Sequence, residues 1–225
     1  MVSMLSALPA RTGRRSTTAL ALQFDSSRLH SLRMNRLSEM ADETLMLAYG
    51  KGDAAAFEQL YLRHKGPLYR YLLRSCGNRA DAEEMFQEIW ASVIKARSKY
   101  TPEAAFATWL YRIATNRLTD HYRKHGKWNQ YMQEADADES SAAACAVSAV
   151  HEQPEHQVDI NQQIERLLLC LEQLPALQRQ VFLLREEAGM QIQEIAEAIA
   201  CGKEAVKSRM RYAISRLRLC MGEVL

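Results

Sequence analysis

Apolar residues recur at helical spacing along most of this chain, and the densest pattern lies between residues 81 and 124. Winding DAEEMFQEIWASVIKA at about 100° per residue gathers Ala82, Met85, Phe86, Ile89, Trp90 and Val93 on one side. Glu84, Gln87, Glu88 and Lys95 share the other, mainly acidic, side. After Lys99-Tyr100-Thr101-Pro102 a second helix is predicted. It turns Phe106, Leu110, Ile113, Ala114 and Leu118 inward, and Thr108, Trp109, Arg112, Asn116, Thr119 and Arg123 outward.

Upstream, Asp42 is the expected N-cap of a short helix over Glu43 to Tyr49 that Gly50 and Gly52 stop. Asp53 is the expected cap of the next, whose apolar face runs through Phe57, Leu60, Tyr61 and His64. Gly66-Pro67 is expected to kink or break it before Leu68, Tyr71 and Leu72 continue that face. Cys76-Gly77-Asn78 turns the chain, and Asp81 with Glu84 resembles a capping box. Downstream the pattern resumes from Asp159 with Ile160, Ile164, Leu167, Leu168 and Leu171, breaks at Leu174-Pro175, and continues through Leu177, Val181, Phe182 and Leu184. Ile192, Ile195, Ala196 and Ile199 then form a short buried stripe, and Cys201-Gly202 a tight turn. Beyond it a helix turns Val206, Met210, Ala213 and Leu217 inward, the spacing of a helix-turn-helix. No period-two alternation and no repeat interrupts this, so the fold class is all-α.

Between Lys127 and Glu155 the periodicity stops. Glu134, Asp136, Asp138, Glu139, Glu152 and Glu155 mark a flexible acidic linker, longer than a compact domain tolerates as loop. The expected organisation is a basic, disordered arm over residues 1–39, a helical domain over 40–126, the linker over 127–158 and a second domain over 159–225. Arg11, Arg14, Arg15, Arg28, Arg33 and Arg36 make the arm basic, and ALALQF is too short and too late for a signal peptide. Met34 and Met40 are alternative translation starts.

With 225 residues, 48% of them hydrophobic, the chain can bury real cores. A net charge of +2 does not announce a nucleic-acid partner, so local distribution must carry that argument. The five cysteines (Cys76, Cys145, Cys170, Cys201 and Cys220) form no C-x-x-C pair, which suits a reducing cytoplasm better than a disulfide framework. Cys145, His151 and His156 lack the paired spacing of a zinc site, so no metal is expected, and no cofactor. No apolar run is long enough to span a membrane.

Two surfaces carry the candidate chemistry. Trp109 among Arg112, Asn116 and Arg123 offers a flat aromatic beside cations and an amide, on which unpaired bases can stack while phosphates are neutralised. A Trp lying over a neighbouring helix is the structural alternative. On the last helix Lys207, Ser208, Arg211, Tyr212 and Ser215 point outward, flanked by Arg209 and Arg216. Cations near the start of such a helix reach guanine edges, each good pair discriminating by about 1–3 kcal/mol; a solvated basic face is the alternative. No nucleophile with a nearby base, Mg²⁺ ligand cluster or Gly-rich phosphate loop is present, so no enzyme is expected and a recombinase or nuclease is disfavoured.

DAEEMFQEIW followed by FATWLYRIATNRLTDHYRK resembles region two of bacterial RNA polymerase sigma factors in their short, extracytoplasmic-function form. LPALQRQVFLLREEAGMQIQEIAEAIACGKEAVKSRMRYAISRLR resembles region four. The resemblance implies core RNA polymerase and promoter DNA as partners, admits an anti-sigma factor, and implies a cytoplasmic protein. It maps polymerase docking onto Asp81, Glu84, Gln87 and Glu88. Capture of the opened minus-ten strand maps onto Tyr100, Thr101, Trp109, Arg112, Asn116, Arg117 and Arg123. Reading of the minus-thirty-five element maps onto Lys203, Lys207, Ser208, Arg209, Arg211 and Tyr212, with the Arg211-Tyr212 order departing from the family pattern. Leu110 stands where primary sigma factors carry a second Trp, implying a smaller wedge. A helix-turn-helix regulator that never binds polymerase is the rival reading; it leaves Trp109 and the acidic helix unused.

Overall fold

The computed structural model describes residues 36–126 and 160–222. Met1–Met40 and Ala41–Leu225 form separate compact units. In the first only residues 36–40 are described, with one helical turn at 36–38. The expected arm and acidic linker, and with them Cys145, His151 and His156, otherwise lie outside the described residues. Every regular element among the described residues is a helix.

Helix α1, Asp42–Gly50, starts with Asp42 and Glu43 at its positive end, where carboxylates are favoured. Neither caps its own helix. Asp42 pairs with Arg63, and with His64 Nε2 at 2.6 Å. Glu43 Oε1 instead accepts the Phe106 N–H at 2.6 Å, supplying a cap to a helix whose own preceding residue, Ala105, has none to offer. Helix α2, Ala54–Cys76, is capped as expected by Asp53, whose Oδ1 accepts from Ala55 N at 3.1 Å and Ala56 N at 3.4 Å. It runs unbroken through Pro67 rather than ending there. A proline removes one helical donor, and burial of Leu68, Tyr71 and Leu72 on the continuing face outweighs that loss. Gly77, at φ 76°, then closes the helix in the left-handed conformation that glycine adopts without Cβ strain.

Helix α3, Arg79–Ala96, is capped by Asn78, whose Oδ1 accepts the Asp81 N–H at 2.8 Å. The expected Asp81–Glu84 box is therefore displaced by one cap earlier in the chain, which leaves the Asp81 carboxylate facing helix α4. The predicted stripe is buried at Ala82, Met85, Ile89, Trp90 and Val93. Trp90 packs edge-on to Phe57 at 5.7 Å and Tyr61 at 5.0 Å between ring centres. Helix α4, Phe106–Lys124, buries Phe106, Leu110, Ala114 and Leu118 as expected, and also Thr108, Tyr111, Thr115 and Tyr122. Two sides of α4 are covered, because α1, α2 and α3 pack on one and α7 on another.

The C-terminal helices are α5 (Ile160–Glu172), α6 (Ala176–Glu186), α7 (Ile192–Ala198) and α8 (Lys203–Met221). Leu171, Leu174, Ala213, Leu217 and Met221 form a core that also contains Cys170. Here the expectation of reduced cysteines is corrected: Cys170 and Cys220, 50 residues apart, are joined by a disulfide with Cα atoms at 5.9 Å. Packing of α5 on α8 creates that proximity, which sequence spacing does not reveal. The α7–α8 turn differs too. Its left-handed residue is Ala200 at φ 53°, while Gly202 at φ −71° is the extended N-cap of α8.

Two outcomes follow. Ala200→Gly relieves a left-handed alanine and is expected to stabilise by about 0.5–1 kcal/mol in denaturant unfolding. Burial alone would raise the Asp42 carboxyl, but hydrogen bonds and charge from His64 and Arg63 outweigh it and hold it below its ordinary value. Its contribution is thus complete above the unfolded value near 3.8 and is lost as pH falls through the folded one. Asp42→Asn should cost on the order of 1 kcal/mol at neutral pH, and its acid denaturation curve should approach that of the parent only as pH falls below 3.8.

Candidate nucleic-acid and polymerase interface

Helix α4 distributes its candidate residues over three recesses. The first, about 300 Å³, is lined by Tyr100, Thr101, Thr108, Trp109, Arg112 and Glu197 among others. Trp109 is half-buried: its ring lies 5.1 Å from Tyr100 and 5.7 Å from Phe106, so it leans on its own helix start and the preceding loop while keeping one edge open. Tyr100 is 9% exposed and its hydroxyl has no hydrogen-bond partner. Burial, with the charges of Glu43 and Asp42, pushes that phenol up to about 12, so it stays a neutral donor. Thr108 is 3% exposed, and its Oγ1 is also unpartnered. Helical winding alone assigns Thr108 to the outer face; tertiary packing buries it. Buried hydroxyls without partners are uncommon, and both oxygens lie beneath the surface of the recess.

The second recess, about 230 Å³, runs between Arg112, Asn116 and Thr119 of α4 and Ala198, Ile199 and Ala200 of the turn after α7. Here α4 meets the last carbonyls of a seven-residue helix, which have no partners within that helix. Thr115 Oγ1 donates to Ala198 O at 3.0 Å, and Arg112 donates to Glu197 O at 3.2 Å. A guanidinium at a helix C-terminus is also favoured by the helix dipole. Two α4 residues that point toward the candidate strand-binding side are thereby engaged by α7.

The third is a cleft of about 460 Å³ between α3 and α4, lined by Asp81, Glu84, Glu88, Arg117 and Arg123 among others. Arg117 lies 3.9 Å from Glu88, and Arg123 3.5 Å from Asp120. Arg117 and Arg123 therefore stand with the acidic helix and not in the Trp109 recess. Glu84, Gln87 and Glu88 are exposed, while Asp81 is half-buried, 3.3 Å from His121 Nε2.

On α8, Lys203, Lys207 and Arg211 are exposed, and Ser208, Arg209 and Tyr212 are half-buried. Lys207 pairs with Glu204 at 2.8 Å. The Arg211 guanidinium lies over the Tyr212 ring, 5.2 Å from its centre, so the tyrosine supports the arginine from beneath. Val206, Ala213 and Leu217 are buried as expected; Met210 is half-buried.

The two helix groups are pinned by Glu187, whose side chain is 7% exposed. It takes Arg70 Nε at 2.6 Å and also pairs with Arg74. Burial, then the neighbouring Arg70 charge, lowers the Arg74 pKa. Arg179 donates to Ser75 O at 3.3 Å and Gln180 Nε2 to the Tyr71 hydroxyl at 3.4 Å.

Comparison with known proteins falls on these same helices. The family model for Sigma-70 region 2 matches residues 60–127, and that for Sigma-70 region 4 matches residues 164–217. The chain is 29% identical over 180 residues to the RNA polymerase sigma factor CarQ of Myxococcus xanthus, covering 80% of this chain and 97% of CarQ. It is 26% identical over 181 residues to the ECF RNA polymerase sigma factor SigK of Mycolicibacterium vanbaalenii, covering 80% and 89%. Its fold is similar to that of CnrH bound to the cytosolic domain of CnrY, with a TM-score of 0.58 at 23% identity, covering 83% of this chain and 100% of that one.

Glu187→Ala leaves two neighbouring guanidinium groups without their shared carboxylate. Because both arginines are partly solvated, a loss of about 1–2 kcal/mol is expected in denaturant unfolding. Hydrogen exchange in Ala176–Glu186 should accelerate with it.

Proposed function

We propose a division of labour for this chain, which belongs to the extracytoplasmic-function group of bacterial RNA polymerase sigma factors and as such binds core polymerase and directs promoter-specific initiation. Residues 40–126 grip polymerase and the opened minus-ten strand, residues 159–225 read the minus-thirty-five element, and residues 127–158 tether the two. The protein works in the cytoplasm as a regulatory subunit without chemistry of its own, and an anti-sigma factor is a further partner.

The recess beside Trp109 is the observation that carries this reading. Its aromatic wall and the Arg112 guanidinium suit an unstacked base whose edge carries hydrogen-bonding groups. Unpairing and unstacking cost a few kcal/mol per base, and stacking returns about 1–3 kcal/mol. Strand opening is then driven by binding alone. Glu84, Gln87 and Glu88 are an exposed acidic stripe suited to a basic helical partner on polymerase. On α8, exposed Arg211 is the base reader and Tyr212 its support, with Lys203 and Lys207 on phosphates. Glu197 on the rim of the recess and Ala198 against Thr115 imply that α7 withdraws from α4 when the strand is taken up.

A helix-turn-helix regulator working without polymerase is not favoured, because the matched region 2 would have no task. The test is runoff transcription with core polymerase on a cognate promoter, with open complexes mapped by permanganate. Trp109→Ala with Arg112→Ala should reduce open complexes at least tenfold while polymerase binding persists. Glu84→Lys with Glu88→Lys should weaken co-purification with core polymerase about tenfold, roughly 1.4 kcal/mol. Unchanged open-complex formation in the first pair would overturn the recess as the strand site.

A further inference from the structure

The α3–α4 cleft holds two histidines that neither strand capture nor polymerase docking uses, beside Asp81 at the start of the acidic helix. His121 and His125, one helical turn apart on α4, bring their rings to 4.1 Å between centres, and Asp81 on α3 faces them. One ligand atom from each of the three residues can be chosen so that all lie within 4.8 Å of one another. We propose that Asp81, His121 and His125 form a binding site for a zinc-type divalent transition-metal cation.

The donor chemistry selects the ion. Two imidazoles and one carboxylate suit zinc and its borderline neighbours, whereas Mg²⁺ and Ca²⁺ prefer all-oxygen shells. Zinc bonds of about 2.0–2.2 Å in a tetrahedron set neighbouring ligand atoms about 3.3 Å apart. The His121 Nε2 to Asp81 Oδ2 separation is 3.3 Å, already one edge of that tetrahedron.

The histidine orientation fits as well. His125 Nδ1 lies 2.9 Å from the His121 carbonyl oxygen. A carbonyl only accepts, so Nδ1 carries the proton and Nε2 presents its lone pair. Fixing a ligand histidine through its second nitrogen is how metal sites set tautomer and ring direction. The Asn78 amide donates to the same Asp81 Oδ2 and fixes the carboxylate beside His121. The ion replaces the proton between His121 and Asp81, leaving the fourth position for water or for Glu84, which lines the same cleft.

Nearby positive charge does not close the site. Arg117 is turned to Glu88 and Arg123 to Asp120; Lys124 also lines the cleft on a long flexible side chain. The ion would join α3 to the C-terminal end of α4, between the acidic stripe and the arginines. This assignment stands on ligand geometry and does not depend on the transcription reading.

The test is titration of the full-length chain with Zn²⁺ at neutral pH in chelator-free buffer, followed by heat release, and with Co²⁺, followed by visible d–d absorption. The expected result is one equivalent bound, a four-coordinate Co²⁺ spectrum and a higher melting temperature with Zn²⁺. His125→Ala, at an exposed position that should fold normally, should weaken binding at least about tenfold and abolish the melting shift, and Asp81→Asn should do likewise. A triple change of Cys145→Ser, His151→Ala and His156→Ala should leave all three readouts intact. Absence of binding, binding unaltered by His125→Ala, or binding lost in the triple variant would each overturn the proposal.

Discussion

The hydrogen bond from Phe106 N–H to the Glu43 carboxylate sets where helix α4 begins, and most candidate side chains of the N-terminal half take their direction from that start. Ala105 supplies no side-chain acceptor, so the first N–H of α4 depends on a carboxylate 63 positions earlier in the chain. A helix begun one residue later would rotate by about 100° and carry Trp109 and Arg112 off the recess. Phe106 reinforces the register from the other side, fully buried and 5.2 Å from the His64 ring. His64 in turn is held by Asp42, the residue beside Glu43. One short helix therefore anchors both the frame and the functional element.

The α4 surface that carries the candidate strand-binding residues is also the one α7 packs against. Thr115 and Arg112 complete the open C-terminal end of α7, a helix too short to satisfy its own last carbonyls. Those bonds are individually modest, since folding exchanges them against water. Glu187 adds a buried carboxylate shared by two arginines. Contacts of this polar, divisible kind can be released by a partner offering equivalent bonds, which a dry apolar seam could not.

Much of this was legible in the chain. The α3 stripe, the Asp53 cap and the Gly77 stop are local features, and periodicity with cap chemistry recovers them. Pro67 reads as a break because the cost of a missing donor is visible in sequence, whereas the compensating burial of Leu68, Tyr71 and Leu72 is not. Asp81 reads as a cap because Asn78, three residues before it, competes for the same role and wins. Thr108 reads as solvent-facing because winding a helix on paper ignores tertiary packing around it.

The amino-acid order by itself determined that this is a helical protein with an acidic face, an aromatic–cationic face and a helix-turn-helix, since each depends on residues within a turn or two of one another. Tertiary packing alone decided which of those residues share a recess. It separated Arg117 and Arg123 from Trp109, joined Cys170 to Cys220, and brought Asp81 against His121. Those pairings lie across helices, where a rotation of a few tens of degrees or a shift of one turn changes every neighbour. Spacing along the chain carries no record of it.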